Sequence, residues 1–188
     1  WVSYDRVLAC LNAHEQYGYP ASALLGQMMI ENGTNDAGSD LGRLYHNYGG
    51  VKYYGQDYGG LVTGGVTMRT TERTPSGSTY TTYASFAVFR DDDAFMQYRC
   101  QYLLAQANYT SVPDYQQAIA DNDSELFLRA LGEGGYYTES PDNYVAAYRS
   151  ICQAYPLVAQ LDSMTADDLR AMFSGTGQEY SDASSAQR

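Results

Sequence analysis

Basic side chains are scarce in this sequence. Eleven Lys and Arg stand against 22 Asp and Glu in 188 residues, for a formal net charge of −11. The few cations are scattered and build no patch. Gripping phosphates takes clustered cations that release counterions. The balance therefore excludes nucleic acid and an anionic membrane surface as partners. Histidine is rarer still, with only His14 and His46. No HExxH-type pair exists, which excludes a zinc peptidase of that kind, and nothing in the sequence asks for a metal or another cofactor. The three cysteines, Cys10, Cys100 and Cys152, match no metal or redox spacing. They read as buried thiols, with a Cys100–Cys152 disulfide left open. No apolar run is long enough to span a bilayer. The sequence also lacks an initiator Met and a basic-then-apolar leader. The expectation is a monomeric module cut from a longer precursor, without its targeting signal.

What the sequence has in excess is tyrosine, with 20 residues against 5 Phe and 1 Trp. A phenol offers a flat apolar face with a polar tip; exposed it suits a sugar ring, and buried it is ordinary core. Apolar residues make up 44% of the chain, enough for one domain. Helical periodicity predicts a first helix over 4–17, with Val7, Leu8, Leu11 and His14 on one side. Pro20 is placed to start a second helix that runs to Glu31 and stops at Asn32-Gly33. A short helix fits 40–45. Alternation over 66–73, a Pro75-Ser76-Gly77 turn and β-prone residues from Thr79 to Tyr83 predict a hairpin. Asp91, Asp92 and Asp93 read as the cap of a helix reaching about Ala107. Further helices fit 115–120, 124–131 and 141–155, and a short one follows Thr165. Residues after about Ser174 have a disordered composition. The fold class is α+β and mostly helical: residues 1–160 form one domain with a β-lobe at about 60–89, and 161–188 form a short helix and tail.

Four segments carry candidate chemistry. Glu31 ends an apolar helix, with Met28, Gln27 and Leu24 behind it. Desolvation there would raise its pKa and suit a proton donor; the plain alternative is a helix-terminal Glu reaching water. His46-Asn47-Tyr48-Gly49-Gly50-Val51-Lys52-Tyr53 places two glycines inside an aromatic segment, either for backbone approach to a ligand or for a tight turn. Glu72 sits near the hairpin tip, as a second carboxylate or as an exposed charge beside Arg69 and Arg73. Gly134-Gly135-Tyr136-Tyr137 precedes a helix N-terminus, and its phenols either meet a substrate or pack on the domain.

In this order, the segments resemble glycoside hydrolase family 73, the peptidoglycan-cleaving glucosaminidases of autolysin and flagellar-hydrolase type. The matching elements are the Pro20–Glu31 helix with Asn32-Gly33, the stretch Asn47-Tyr48-Gly49-Gly50-Val51-Lys52, Thr70-Thr71-Glu72, a loose match at Val88-Phe89-Arg90-Asp91-Asp92-Asp93, and Gly135-Tyr136-Tyr137-Thr138-Glu139-Ser140-Pro141. The sequence departs at Asn32, where the family usually has Ser, at the extra Gly50, and in a last loop longer by one residue.

The resemblance covers residues 2–157 and implies a lysozyme-like helical lobe, a small β-lobe and a cleft between them. It implies hydrolysis of the β-1,4 bond between N-acetylglucosamine and N-acetylmuramic acid in peptidoglycan, at the cell wall or outside the cell. Glu31 would be the general acid, Glu72 a base or a stabiliser of the transition state, and Tyr136 the orienter of the substrate's acetamido group. Asn47, Tyr48, Gly49, Lys52, Tyr53 and Tyr137 would contact substrate, with Tyr54 a further sugar-facing aromatic. The alternatives are a muramidase or lytic transglycosylase of the same fold, a Cys/His amidase, and a non-catalytic glycan-binding module.

Overall fold

The computed structural model describes residues 3–33 and 39–174. At its centre is helix α2, Ala21–Asn32, whose residues from Ala21 to Met29 are all buried. A helix apolar on every side is stable only when wrapped, and α1 (Tyr4–Tyr17), α7 (Ser124–Glu133), α8 (Pro141–Ala154) and α9 (Pro156–Gln160) wrap it. Gly26 lets α8 come close: a Cβ there would stand 2.6 Å from the Tyr148 ring. Pro20 caps α2 rather than opening it. Helix α1 begins at Ser3, whose hydroxyl accepts from the Arg6 N–H, and ends at Gly18 in the left-handed region.

A short α3, Asp40–Tyr45, leads to the β-lobe. Strand β1, Val62–Arg73, pairs antiparallel with β2, Thr79–Phe89, in a register that sets Met68 opposite Ala84, Thr70 opposite Thr82 and Glu72 opposite Tyr80. The β-prone residues before and after Ala84 thus belong to one strand. A third segment joins the sheet edge, where Tyr53 donates to the Ser85 carbonyl and Ala87 to that of Val51. Phe89 packs against Phe95 and Tyr98, which ties the hairpin base to helix α4, Asp92–Tyr98.

The helix expected to reach Ala107 does not continue as one α-helix. At Arg99–Leu103 it becomes a π-helical turn in which the Leu104 N–H donates to the Arg99 carbonyl. Helices α5 (Ala107–Thr110) and α6 (Pro113–Asp121) follow, and α10 (Ala166–Ser174) comes after α9. Leu161, Ala166 and Leu169 are buried, and Phe173 meets the Tyr4 ring at 4.9 Å. Core packing therefore continues past residue 160. The predicted tail after Ser174 lies outside the described residues.

The Cys100–Cys152 disulfide is not formed, and all three thiols are free. Cys100 is buried near Cys10 and Arg99. Cys152 is half-buried among Tyr148, Glu125 and Asp162. Burial holds the Cys100 thiol up at about 12 and raises the other two, so none is primed as a thiolate.

Candidate active site

A cleft of about 590 Å³ opens between the helical body and the hairpin. One wall is the C-terminal end of α2, with Gln27, Met28, Glu31 and Asn32. The loop Asn47–Gly50 forms an end, the hairpin contributes Met68, Arg69, Thr70 and Phe86, and Arg99, Tyr109 and Tyr136 are also in the lining.

Glu31 stands in this cleft. The sequence reading expects its carboxyl to be desolvated by Met28 and Leu24. Instead Leu24 and Met28 turn into the core while Glu31, past the buried stretch, is exposed. Its carboxylate is held from one side, by the Tyr144 hydroxyl donating to Oε1 at 3.0 Å. Tyr144 itself is buried and rises from α8. Its ring lies flat on Tyr137, 3.8 Å away and 3° from parallel, and the Tyr137 hydroxyl donates to the Leu128 carbonyl. Tyr137, expected as a substrate contact, is therefore a buttress outside the cleft lining: it is pinned on α7, where only a glycine at 132 leaves it room. Tyr136 does line the cleft. Burial raises its pKa; the Arg99 cation beside it pulls down and the Glu31 charge pushes up.

The segment from Asn47 to Tyr53 behaves differently from expectation. Asn47 lines the cleft but is fully engaged, donating to the Val51 and Ala87 carbonyls and accepting from the Val51 N–H. It clips the loop to β2. Tyr48 is also buried, donating to Asp92 at 2.6 Å and accepting from Arg6 Nε at 2.8 Å. Its ring packs against Phe95, with centroids 5.3 Å apart, and the Arg6 guanidinium lies over it. Asp92 accepts from His46 as well. Burial alone would raise its pKa, but these hydrogen bonds and the Arg6 charge outweigh it and hold it low. Gly49 and Gly50 line the cleft with backbone, Gly50 at φ 63°. Tyr53 packs over Gly65 of β1, outside the cleft lining, and Tyr54 is 87% exposed.

Asn32 ties this loop to the acid. Its amide donates to the Met28 and Tyr48 carbonyls and accepts from Ser39 Oγ. Asn32 thus clips α2 to the loop.

Glu31 and Glu72 do not meet in the cleft. Glu72 is on the hairpin face that carries Met68 and Thr70, one alternation nearer the tip, and is not part of the lining. Its carboxylate pairs with Lys52 Nζ at 2.8 Å. Lys52, expected as a substrate contact, makes this ion pair over the Phe86 ring.

The sequence reading missed Arg99, Tyr109, Arg69 and Tyr144. Tyr144 had no signal of its own, being one phenol among 20. Arg99 had one: a cation inside an otherwise apolar helix face. No group of three or more His, Cys, Asp or Glu side chains placed to hold a metal occurs among the described residues.

Three solved structures share the architecture. The catalytic domain of the autolysin Auto from Listeria monocytogenes is 20% identical, with a TM-score of 0.61 over 85% of this chain and 88% of that one. The glycoside hydrolase domain of FlgJ from Salmonella typhimurium is 21% identical, with a TM-score of 0.51 over 92% of each chain. An N-acetylmuramoyl-L-alanine amidase from Staphylococcus aureus is 17% identical, with a TM-score of 0.58 over 98% of this chain and 49% of the other. At such identities the likeness shows the fold, the lysozyme-like arrangement of helical body, hairpin and cleft. No curated protein sequence matches. The family model described as mannosyl-glycoprotein endo-beta-N-acetylglucosaminidase matches residues 8–157. With most of its length covered by that match, the chain belongs to the glucosaminidase family, glycoside hydrolase family 73, and is a glycoside hydrolase.

Proposed function

We propose that this chain is a peptidoglycan hydrolase that cleaves the β-1,4 bond between N-acetylglucosamine and N-acetylmuramic acid, with Glu31 as general acid. The observation that carries the reading is a carboxyl at the end of a rigid core helix, held by Tyr144 at 3.0 Å in the cleft. Two similar structures are of an autolysin catalytic domain and the glycoside hydrolase domain of FlgJ, which supports a wall glycan as substrate and the cell wall as the place of action. Glu31 protonates the leaving oxygen, a contribution of roughly 10²–10⁴-fold. A sugar filling the cleft covers the exposed Glu31 carboxyl and shields it from solvent.

Tyr136, which lines the same cleft, orients the acetamido group. Glu72 completes the reaction only if the hairpin bends inward and Lys52 releases it; otherwise the substrate's own acetamido group takes that part. The catalytic unit is the single body that includes α10, acting as a monomeric module.

The deciding experiment is mass spectrometry of muropeptides from digested wall. New reducing ends on N-acetylglucosamine are expected, and Glu31→Gln lowers the rate at least about 10²-fold while glycan binding persists. New reducing N-acetylmuramic acid would make the chain a muramidase, and an anhydro product a lytic transglycosylase. Binding without cleavage by the native chain would make it a glycan-binding module.

A further inference from the structure

Two cations of this acidic chain have no acid beside them. Every other described Lys and Arg forms an ion pair, except Arg99, which is buried against the Leu24 carbonyl. Arg69 and Arg73 form none among the described residues, and both are exposed. Strand β1 puts them on one face, with Thr71 between them. The register sets Tyr83 opposite Arg69, Thr81 opposite Thr71 and Thr79 opposite Arg73. All of these residues are exposed, Tyr83 by 72%. Toward the hairpin base the same face is closed by Tyr53, which packs over Gly65. From Arg69 to the turn it lies open. Between Val62 and Phe89 the only acid is Glu72. It belongs to the other face and is neutralised there by Lys52 at 2.8 Å. A molecule of net charge −11 thus presents one strand face with two unpaired positive charges.

The chemistry of this face selects its partner. So acidic a chain repels anions over most of its surface, and here it attracts them. A guanidinium matches a carboxylate with two parallel hydrogen bonds. Two cations are too few to grip a polyphosphate. Four residues along a strand span about 13 Å, the reach of an extended peptide of about four residues. The hydroxyls of Thr71, Thr79 and Thr81 both donate and accept, as peptide amides require. The Tyr83 ring adds an apolar face. Arg69 also belongs to the cleft lining, so the face begins where the sugar chain is held.

We propose that the hairpin face from Arg69 to Arg73 receives the carboxylate-bearing peptide that hangs from the N-acetylmuramic acid next to the cleaved bond. The proposal rests on the reading of this cleft as the peptidoglycan site and adds a preference to it. Strands that carry acidic peptides are held more tightly than bare ones. The acid Glu31 does the same work on both, so the gain falls in KM and not in kcat.

The test is steady-state kinetics on three glycan substrates freed of phosphate polymers. One keeps its peptides, one has them removed by an amidase, and one keeps them with their carboxylates amidated. At low salt the native chain should show a KM about fivefold lower on the first than on the others, the gain expected of two exposed charge pairs, with equal kcat. At about 1 M salt, where the Debye length is about 3 Å, the three should converge. The double variant Arg69→Gln with Arg73→Gln should lose the preference and keep its melting temperature. Should that variant not fold, the salt and amidation series on the native chain decides. Equal KM on all three substrates overturns the proposal. So does a preference that survives the double variant, salt or amidation, or one that appears only with phosphate polymers attached. If all three are cleaved alike, only this proposal fails. If none is cleaved, the functional reading fails with it.

Discussion

Tyr144 reaches Glu31 across 113 positions of sequence, and its ring is fixed between the core and Tyr137. It is a positioning residue. Tyr144→Phe keeps the shape and removes one hydrogen bond to a carboxylate, worth about 1.5 kcal/mol. The expected result is a kcat lower by about tenfold with KM little changed, and steady-state kinetics on solubilised wall glycan check it. Asp92 acts on stability instead. Its pKa is lowered in the folded protein, so its contribution is fully present above the unfolded value of about 4 and fades as pH falls through the folded one. Asp92→Asn should cost about 2 kcal/mol at pH 7 and flatten the loss of stability in acid. Urea melts at pH 7 and pH 3 would read both. Neither residue was legible as functional in sequence. A phenol and an aspartate take on these roles only through partners on other elements, and local patterning carries no information about such partners.

Elements were more legible than sites. The boundaries of α1 and α3, the hairpin and the Asp91 cap follow from local chemistry: a capping hydroxyl or carboxylate, a left-handed glycine, alternation of two. Helix α2 also follows from its apolar run, but its reason for containing Gly26 does not. Gly26→Ala would normally favour a helix by about 1 kcal/mol. Here the added methyl meets the buried Tyr148 ring, which is itself bonded to Ser22 at 2.6 Å. Overpacking of about 1–3 kcal/mol should win, and a lower melting temperature for Gly26→Ala would show it. The π-helical turn at Arg99 is the element that periodicity mis-assigned. The composition from Asp91 to Ala107 is helical throughout, and the inserted residue is decided by where Arg99 finds its partners on α2.

The described residues pack as one body around α2, and the last described helix is part of it. Ending the chain at residue 160 would remove Leu161, Ala166 and Leu169, all buried. Losing a single large core side chain costs about 2–5 kcal/mol, so the truncated protein should melt far lower or fail to fold. A thermal scan beside the full-length chain tests this. At the same scale the charge of −11 favours solubility and sets no feature of the cleft.

By itself the sequence determined the helical body, the inserted hairpin, the order of motifs and hence the family, because periodicity, caps and turns are local and survive without knowledge of neighbours. It also marked Glu31, since an acid at the end of an apolar helix is conspicuous in one dimension. Only the tertiary structure decided which side chains share the cleft with that acid. Asn47 and Tyr48 line it with their polar groups already claimed by buried hydrogen bonds, and Tyr137 packs outside it. Glu72 stays at the hairpin with Lys52. Arg99 meets α2 because the π-helical turn aims it at the Leu24 carbonyl and Gln27. Partnership of this kind is long-range, and no spacing along the chain encodes it.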